Sequence, residues 1–188
     1  MRPGLPACFL ALLLVCIAGC AVEEPLSEAD KRLFLRPADL VRYGFRYADP
    51  ESYEKFSKSR QIDGGYQLKY EFQPDQSEPR RVFIYASVSV AKSESDAALN
   101  EGAEAVGMVI GLKASGVEER EVRLKSGNDQ SKLRLLVKGD KPLGNIFTTR
   151  DGRKTYFIVV TGLYFDDPED WRKLVAPKLE QLAGYSPA

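Results

Sequence analysis

Ser52 and Lys55 have the spacing with which a lysine can activate a serine nucleophile. In hydrolases built on this pattern, the lysine takes the proton from the serine, and two further motifs complete the site. Neither motif is complete here, since Ala97 stands where asparagine is needed and Tyr156 where glycine is needed. We therefore favour a surface loop for Ser52 and Lys55.

Four carboxylates near the C-terminus form the second group that could do chemistry. Such side chains can hold a hard cation, but a calcium site takes about 6–8 oxygen ligands. Asp167 followed by Pro168 is also the typical start of a helix, and acids in the first turn are stabilised there. We predict a helix N-terminus and no metal site from Asp166, Asp167, Glu169 and Asp170.

The absence of histidine removes the usual general base and the commonest metal ligand. The cysteines are Cys8, Cys16 and Cys20, so a disulfide, a thiolate zinc site and a catalytic thiol are excluded after position 20. Basic and acidic residues both number 27, so no net charge favours nucleic acid. We predict a protein that is not an enzyme and has no cofactor, no metal and no nucleic-acid partner.

Aromatic and basic residues alternate at positions 42–47. Tyrosine and arginine are enriched at interface hot spots, which favours a binding surface. The same alternation is typical of a half-buried strand, so packing in the core is the other interpretation. The residues of this possible binding patch are Arg42, Tyr43, Arg46 and Tyr47.

The first residues are organised as an export signal. Arg2 precedes an uncharged apolar run at 7–17, which is shorter than the about 20 residues of a membrane-spanning helix. The run ends in Ile17-Ala18-Gly19-Cys20, which resembles the lipobox of bacterial lipoproteins. We predict a signal peptide over residues 1–19.

The lipobox resemblance implies a membrane anchor. In that family the chain is cut between the residues that correspond to Gly19 and Cys20, and acyl chains such as palmitate are attached to the cysteine. Several acyl chains suffice for stable anchoring. In Gram-negative members of that family, an aspartate directly after the cysteine favours retention in the inner membrane. Ala21 stands at this position, so the resemblance implies the periplasmic side of the outer membrane if the source is Gram-negative.

Residue patterns after the leader predict seven strands and two longer helices. A short helix is expected from Pro37, a helix over 93–114 from a cap at Ser93, and a last helix from Asp167, which Pro177 should kink or split. Asp151 and Gly152 are expected to form a two-residue hairpin turn. The predicted strands are 43–47, 66–72, 81–90, 117–125, 132–138, 144–150 and 155–164.

This order of elements predicts an α+β fold, an antiparallel sheet of about six to seven strands with a mid-chain helix and a C-terminal helix packed on it. The order from 43 to 182 resembles the PsbP-like α/β/α sandwich family, whose members mostly bind and assemble protein partners. We divide the chain into the signal peptide, a lipidated and acidic tether at 20–31, and one globular domain at 32–188.

Three functional hypotheses follow. The leading one is a membrane-anchored, non-enzymatic binding or accessory module for a protein partner in the cell envelope. The second is a carrier that holds a small apolar ligand in a cavity between the sheet and the helix at 95–114. The third and weakest is a hydrolase that uses serine or carboxylates.

Overall fold

Alternating apolar and polar residues build the sheet. The computed structural model describes residues 23–60, 64–101, 112, 114–124 and 130–186. The strands in these residues are β1 (Glu23–Glu24), β2 (Glu54–Arg60), β3 (Tyr66–Phe72), β4 (Phe83–Val90), β5 (Glu118–Val122), β6 (Lys132–Lys138), β7 (Lys141–Asp151) and β8 (Lys154–Thr161). They pair antiparallel in the order β1-β2-β3-β4-β8-β7-β6-β5.

Helices flank the sheet. Ser93 starts the mid-chain helix, because its hydroxyl oxygen accepts the N–H of Asp96 at 3.1 Å. Asp167 starts the C-terminal helix, because its carboxylate accepts the N–H of Glu169 at 2.8 Å. Both predicted caps are confirmed. The helices are α1 (Glu28–Arg32), α2 (described at 94–101, 112 and 114) and α3 (Pro168–Gly184), with two 3-10 helices at Pro37–Tyr43 and Pro50–Tyr53.

The core lies on both faces of the sheet. On one face, Trp171 and Leu174 of α3 pack with Phe147 and Tyr156 of the strands. On the other face, Leu112 of α2 packs against a smaller cluster of buried residues, Val117, Leu136, Ile146, Phe157 and Val159. β8 lies between β4 and β7 and is buried from residue 155 to 160, as its apolar residues on both sides predict. The predicted α+β class and its two longer helices are confirmed.

The strand predicted at 43–47 is wrong. Tyr43 ends the 3-10 helix that begins at Pro37, and residues 45–47 form a loop. Gly44 separates the two with a φ of 86°, a left-handed conformation that suits glycine and ends the helix. The aromatic alternation therefore reflects separate contacts of single rings.

Three smaller expectations also change. The turn between β7 and β8 consists of Gly152 and Arg153, one residue later than predicted, because Asp151 still pairs with Lys154. Pro177 lies within the single helix α3, so the proline does not split it, and Val175 and Lys178 near the proline are buried. Part of the acidic stretch assigned to the tether is folded, since β1 pairs with β2 and α1 follows it.

Candidate functional site

The sheet has two ends with different chemistry. At the tether end, β2 finishes at Arg60 and pairs with β1, where Glu23 lies opposite Ser59. At the other end, which we name the arginine end, β2 begins at Glu54 and β4 begins at Phe83. A strand advances about 3.3 Å per residue, so strands of this length separate the two ends by about 20 Å.

Tyr47 joins two loops at the arginine end. Its hydroxyl donates to the carbonyl of Arg80 at 3.0 Å and accepts the N–H of Val82 at 3.0 Å. Its ring contacts Phe72, with 5.0 Å between the ring centroids. Tyr47 is therefore a packing residue that places Arg80 next to the 42–47 segment. The sequence analysis had included Tyr47 in the possible binding patch.

Gly44 provides the surface on which Arg80 rests. A Cβ atom at Gly44 would lie 2.6 Å from Nη1 of Arg80, so the guanidinium lies directly against the glycine backbone. Arg81 precedes Val82 on the same loop, and both arginines are exposed. Three arginines from two loops thus lie at this end, since Arg46 is also exposed and two residues from Gly44.

Arg42 and Tyr43 extend this surface towards a third loop. The Arg42 guanidinium carbon lies 4.9 Å from the centroid of the Tyr43 ring. That ring contacts Phe165 edge to face, with 5.2 Å between centroids. The side chain of Asn145 fixes the loop, because its amide donates to the Phe165 carbonyl at 2.9 Å and its oxygen accepts the Phe165 N–H at 2.6 Å.

An apolar groove adjoins the third loop. Tyr164, which precedes Phe165, is 47% exposed, a large value for an aromatic ring. It lines a groove of about 460 Å³ together with Pro142, Leu143, Thr161 and Gly162. The arginine end therefore combines exposed guanidinium groups with an exposed aromatic ring beside an apolar groove, a composition typical of interface hot spots.

The arginines of this end have no carboxylate partner among the described residues. Some other arginines do: Arg36 is paired with Glu54, and Arg134 lies 3.0 Å from Glu119. Two carboxylates of nearby loops have other partners, since Glu78 accepts a bond from Tyr53 and Asp167 caps α3, whereas Asp49 and Asp166 are exposed. The four exposed arginines of this end are Arg42, Arg46, Arg80 and Arg81.

At the tether end, one group of charged side chains is buried and paired. We name Asp30, Lys58 and Tyr185 the Asp30 cluster. The Tyr185 hydroxyl donates to Asp30 Oδ1 at 2.6 Å, the Ser27 N–H donates to Oδ2 at 2.8 Å, and Lys58 Nζ lies 3.9 Å from Oδ2. This cluster joins α1, β2 and the residue that follows α3, and a groove of about 490 Å³ lies beside it.

The Asp30 cluster shifts two pKa values in opposite directions. Burial would raise the pKa of Asp30, but hydrogen bonds from Tyr185 and Ser27 and the charge of Lys58 together hold it below its ordinary value. Burial and the bond to Asp30 raise the pKa of Tyr185. Asp30 is therefore ionised and Tyr185 neutral at physiological pH, which fits a structural pair.

The other candidate residues are held in local contacts. The Ser52 hydroxyl donates to the Asp49 carbonyl at 2.8 Å, whereas Lys55 Nζ lies 3.9 Å from Glu71. Both residues are exposed, but the predicted loop is wrong, since Ser52 lies in the second 3-10 helix and Lys55 in β2. Their contacts give no sign of a serine–lysine pair. The carboxylates at the start of α3 cap the helix or pair with lysine and arginine one turn later, as Asp170 does with Lys173 at 2.9 Å.

The described ranges contain no helix with the length and apolar composition needed to cross a bilayer. Within the same ranges, no three side chains of the histidine, cysteine, aspartate or glutamate type are grouped so that they could hold a metal ion. Cys20 and Gly19 lie outside the described residues, as do 102–111, over which the ligand cavity of the carrier hypothesis was expected.

Sequence reasoning named Arg42 and Arg46 but missed Arg80, Arg81 and Tyr164. Arg80 and Arg81 immediately precede β4, and Tyr164 follows the end of β8. Because β4 and β8 pair antiparallel, the start of one lies beside the end of the other. The sequence does show basic residues before one predicted strand and an aromatic residue at the end of another, and this pattern could have indicated the site.

No protein-family model, curated protein or solved structure matches the chain. The resemblances to the lipobox and to the PsbP-like family therefore stay predictions from the residues themselves.

Proposed function

We propose that this chain is a lipoprotein of the bacterial cell envelope, anchored through acyl chains on Cys20. Only Ala21 and Val22 separate Cys20 from β1. A chain advances at most about 3.6 Å per residue, so the anchor lies within about 11 Å of the sheet. The tether end would then rest near the membrane surface, on the periplasmic side of the outer membrane in a Gram-negative source.

We further propose that the domain is a non-enzymatic binding or accessory module that docks a protein partner through its arginine end. The observation that carries this proposal is the placement of the two ends, about 20 Å apart along the strands. A membrane anchor at one end directs the other end away from the bilayer. Arg42, Tyr43 and Arg46 would then face the periplasm, where partners are reached.

The anchor is tested with palmitate labelling of cells that express the full chain. We expect Cys20→Ser to abolish the label and to leave the precursor uncut or released from the membrane. A Cys20→Ser protein that still incorporates palmitate would show that the lipobox interpretation is wrong.

The docking surface is tested by chemical crosslinking and purification from intact cells. We expect Arg42→Ala with Arg46→Ala to remove a crosslinked protein that the unchanged chain recovers. Lys92→Ala with Arg123→Ala is the matched control, because both residues are exposed and Lys92 follows β4 at the tether end. Loss of the crosslinked protein in both variants, or in neither, would contradict the proposal.

A further inference from the structure

We propose that the arginine end binds an acidic segment of its protein partner, rich in aspartate or glutamate and carrying an apolar side chain. This inference rests on the proposed function and specifies the chemistry of the partner. Arg42 lies near the end of the first 3-10 helix, Arg46, Arg80 and Arg81 lie in loops, and all four are exposed. Because none of the four is paired with a carboxylate of the described residues, they can pair with the carboxylates of a negatively charged segment.

Carboxylates are the expected anions because guanidinium groups match them in a fork geometry. The domain already shows this geometry, since Nε and Nη2 of Arg36 both donate to the Glu54 carboxylate. The arginines of the arginine end would form the same contacts with carboxylates that another chain supplies.

Part of this surface is already ordered. Arg42 rests on the Tyr43 ring and Arg80 on the Gly44 backbone, so these long side chains have contacts that favour their positions. Less side-chain freedom is then lost on binding. The Gly44 conformation is part of the site, because a side chain there would displace the Arg80 guanidinium.

The apolar component of the partner is inferred from Tyr164 and its groove. A lipid headgroup would use the arginines but leave the Tyr164 ring exposed, and the proposed anchor places this end away from its own membrane. A peptide can set carboxylates on the arginines and one leucine or similar residue beside Tyr164 and Leu143. A protein segment therefore fits both parts of the surface.

The test uses a fluorescent peptide of about ten glutamates, which spans about 33 Å when extended, and a second peptide in which one glutamate is leucine. Binding to residues 20–188 with Cys20→Ser is measured by fluorescence anisotropy. We expect both peptides to bind, the leucine peptide more tightly. We also expect affinity to fall by about tenfold between low and physiological salt, because exposed charges are screened.

The variant Arg42→Glu with Arg46→Glu should weaken peptide binding by about 30-fold or more, since each change replaces an attraction with a repulsion. Lys92→Glu with Arg123→Glu changes net charge equally and should weaken it by less than about threefold. If the glutamate variant does not fold, peptide binding is compared between Arg46→Ala and Lys92→Ala, each of which removes one exposed side chain. Arg46→Ala should then weaken binding more than Lys92→Ala does.

Equal losses in the two variants would show a net-charge effect and overturn the inference, as would a failure of both peptides to bind. Binding to phosphatidylglycerol vesicles but not to peptide would identify a lipid as the ligand and also overturn it. A crosslink in cells that needs Arg42 and Arg46, together with no peptide binding, would leave the proposed docking function standing and reject only the acidic partner.

Discussion

The Asp30 cluster and the four exposed arginines at the opposite end of the sheet use charge in opposite ways. At the tether end, Asp30 and Lys58 are almost fully buried and lie next to each other, and Tyr185 bonds to Asp30 across 155 residues of sequence. At the arginine end, Arg42 and Arg46 are exposed and have no carboxylate partner among the described residues. Buried charges need their partners for stability, whereas exposed charges contribute little to folding. The charges of the Asp30 cluster therefore stabilise the fold, whereas we propose that the four arginines serve recognition.

The largest effect that separates the two ends should come from Asp30→Ala. This change takes the carboxylate away from Lys58 and Tyr185, and breaking a buried pair costs about 3–5 kcal/mol. Urea unfolding of the domain measures the loss. Arg46→Ala is the control, expected to change the free energy of unfolding by less than about 0.5 kcal/mol. Similar values for the two variants would remove the contrast between the ends.

Asn145→Ala should give the next largest effect, at the arginine end. It leaves the buried N–H and carbonyl of Phe165 without their side-chain partners, and we expect a loss of about 2–3 kcal/mol. Because the Phe165 loop carries Tyr164, binding of the leucine-containing peptide should weaken as well. Reduced stability with unchanged peptide binding would show that the loop has no part in recognition.

A smaller effect is expected from Tyr47→Phe, which keeps the ring on Phe72 but removes the bonds to Arg80 and Val82. Thermal unfolding should show a loss of about 1 kcal/mol. Tyr47→Ala should cost clearly more, because it also removes the ring from a buried contact. Equal stability of the unchanged chain and Tyr47→Phe would argue against the hydroxyl as the link between the loops.

The smallest effect concerns pH and again distinguishes the ends. The pKa of Asp30 is lower in the folded chain than its ordinary value of 3.8. Its stabilising contribution is therefore complete above about pH 4 and is lost as pH falls through the folded-state pKa. Asp30→Asn should flatten that part of the stability profile, measured by unfolding between about pH 2 and 6. Arginine does not titrate in this range, so Arg46→Ala should leave the profile unchanged.

Local patterns predict much of the fold. Alternation at 66–72 gives β3, the doubly apolar run after Lys154 gives the central β8, and Ser93 and Asp167 start helices where capping rules place them. Each of these depends on residues close in sequence. The strand prediction at 43–47 was wrong because the aromatic rings of this segment contact distant parts of the chain, as Tyr43 does with Phe165.

The two ends could not be assembled from local patterns. The Asp30 cluster needs the C-terminus beside α1, and the full arginine end needs β4 paired with β8. Both depend on long-range strand order, which periodicity does not specify. Arg42 and Arg46 were found from composition alone, but Arg80 and Tyr164 became visible only when the order of the strands was known.

The most direct test of this account places a photocrosslinking amino acid at position 46 or at position 92 of the full chain in intact cells. Position 46 lies at the arginine end, and position 92 lies just after β4 at the tether end. We predict a discrete protein adduct from position 46 and none from position 92. A protein adduct of equal strength at position 92, or none at position 46, would contradict the proposal that the partner docks at the arginine end.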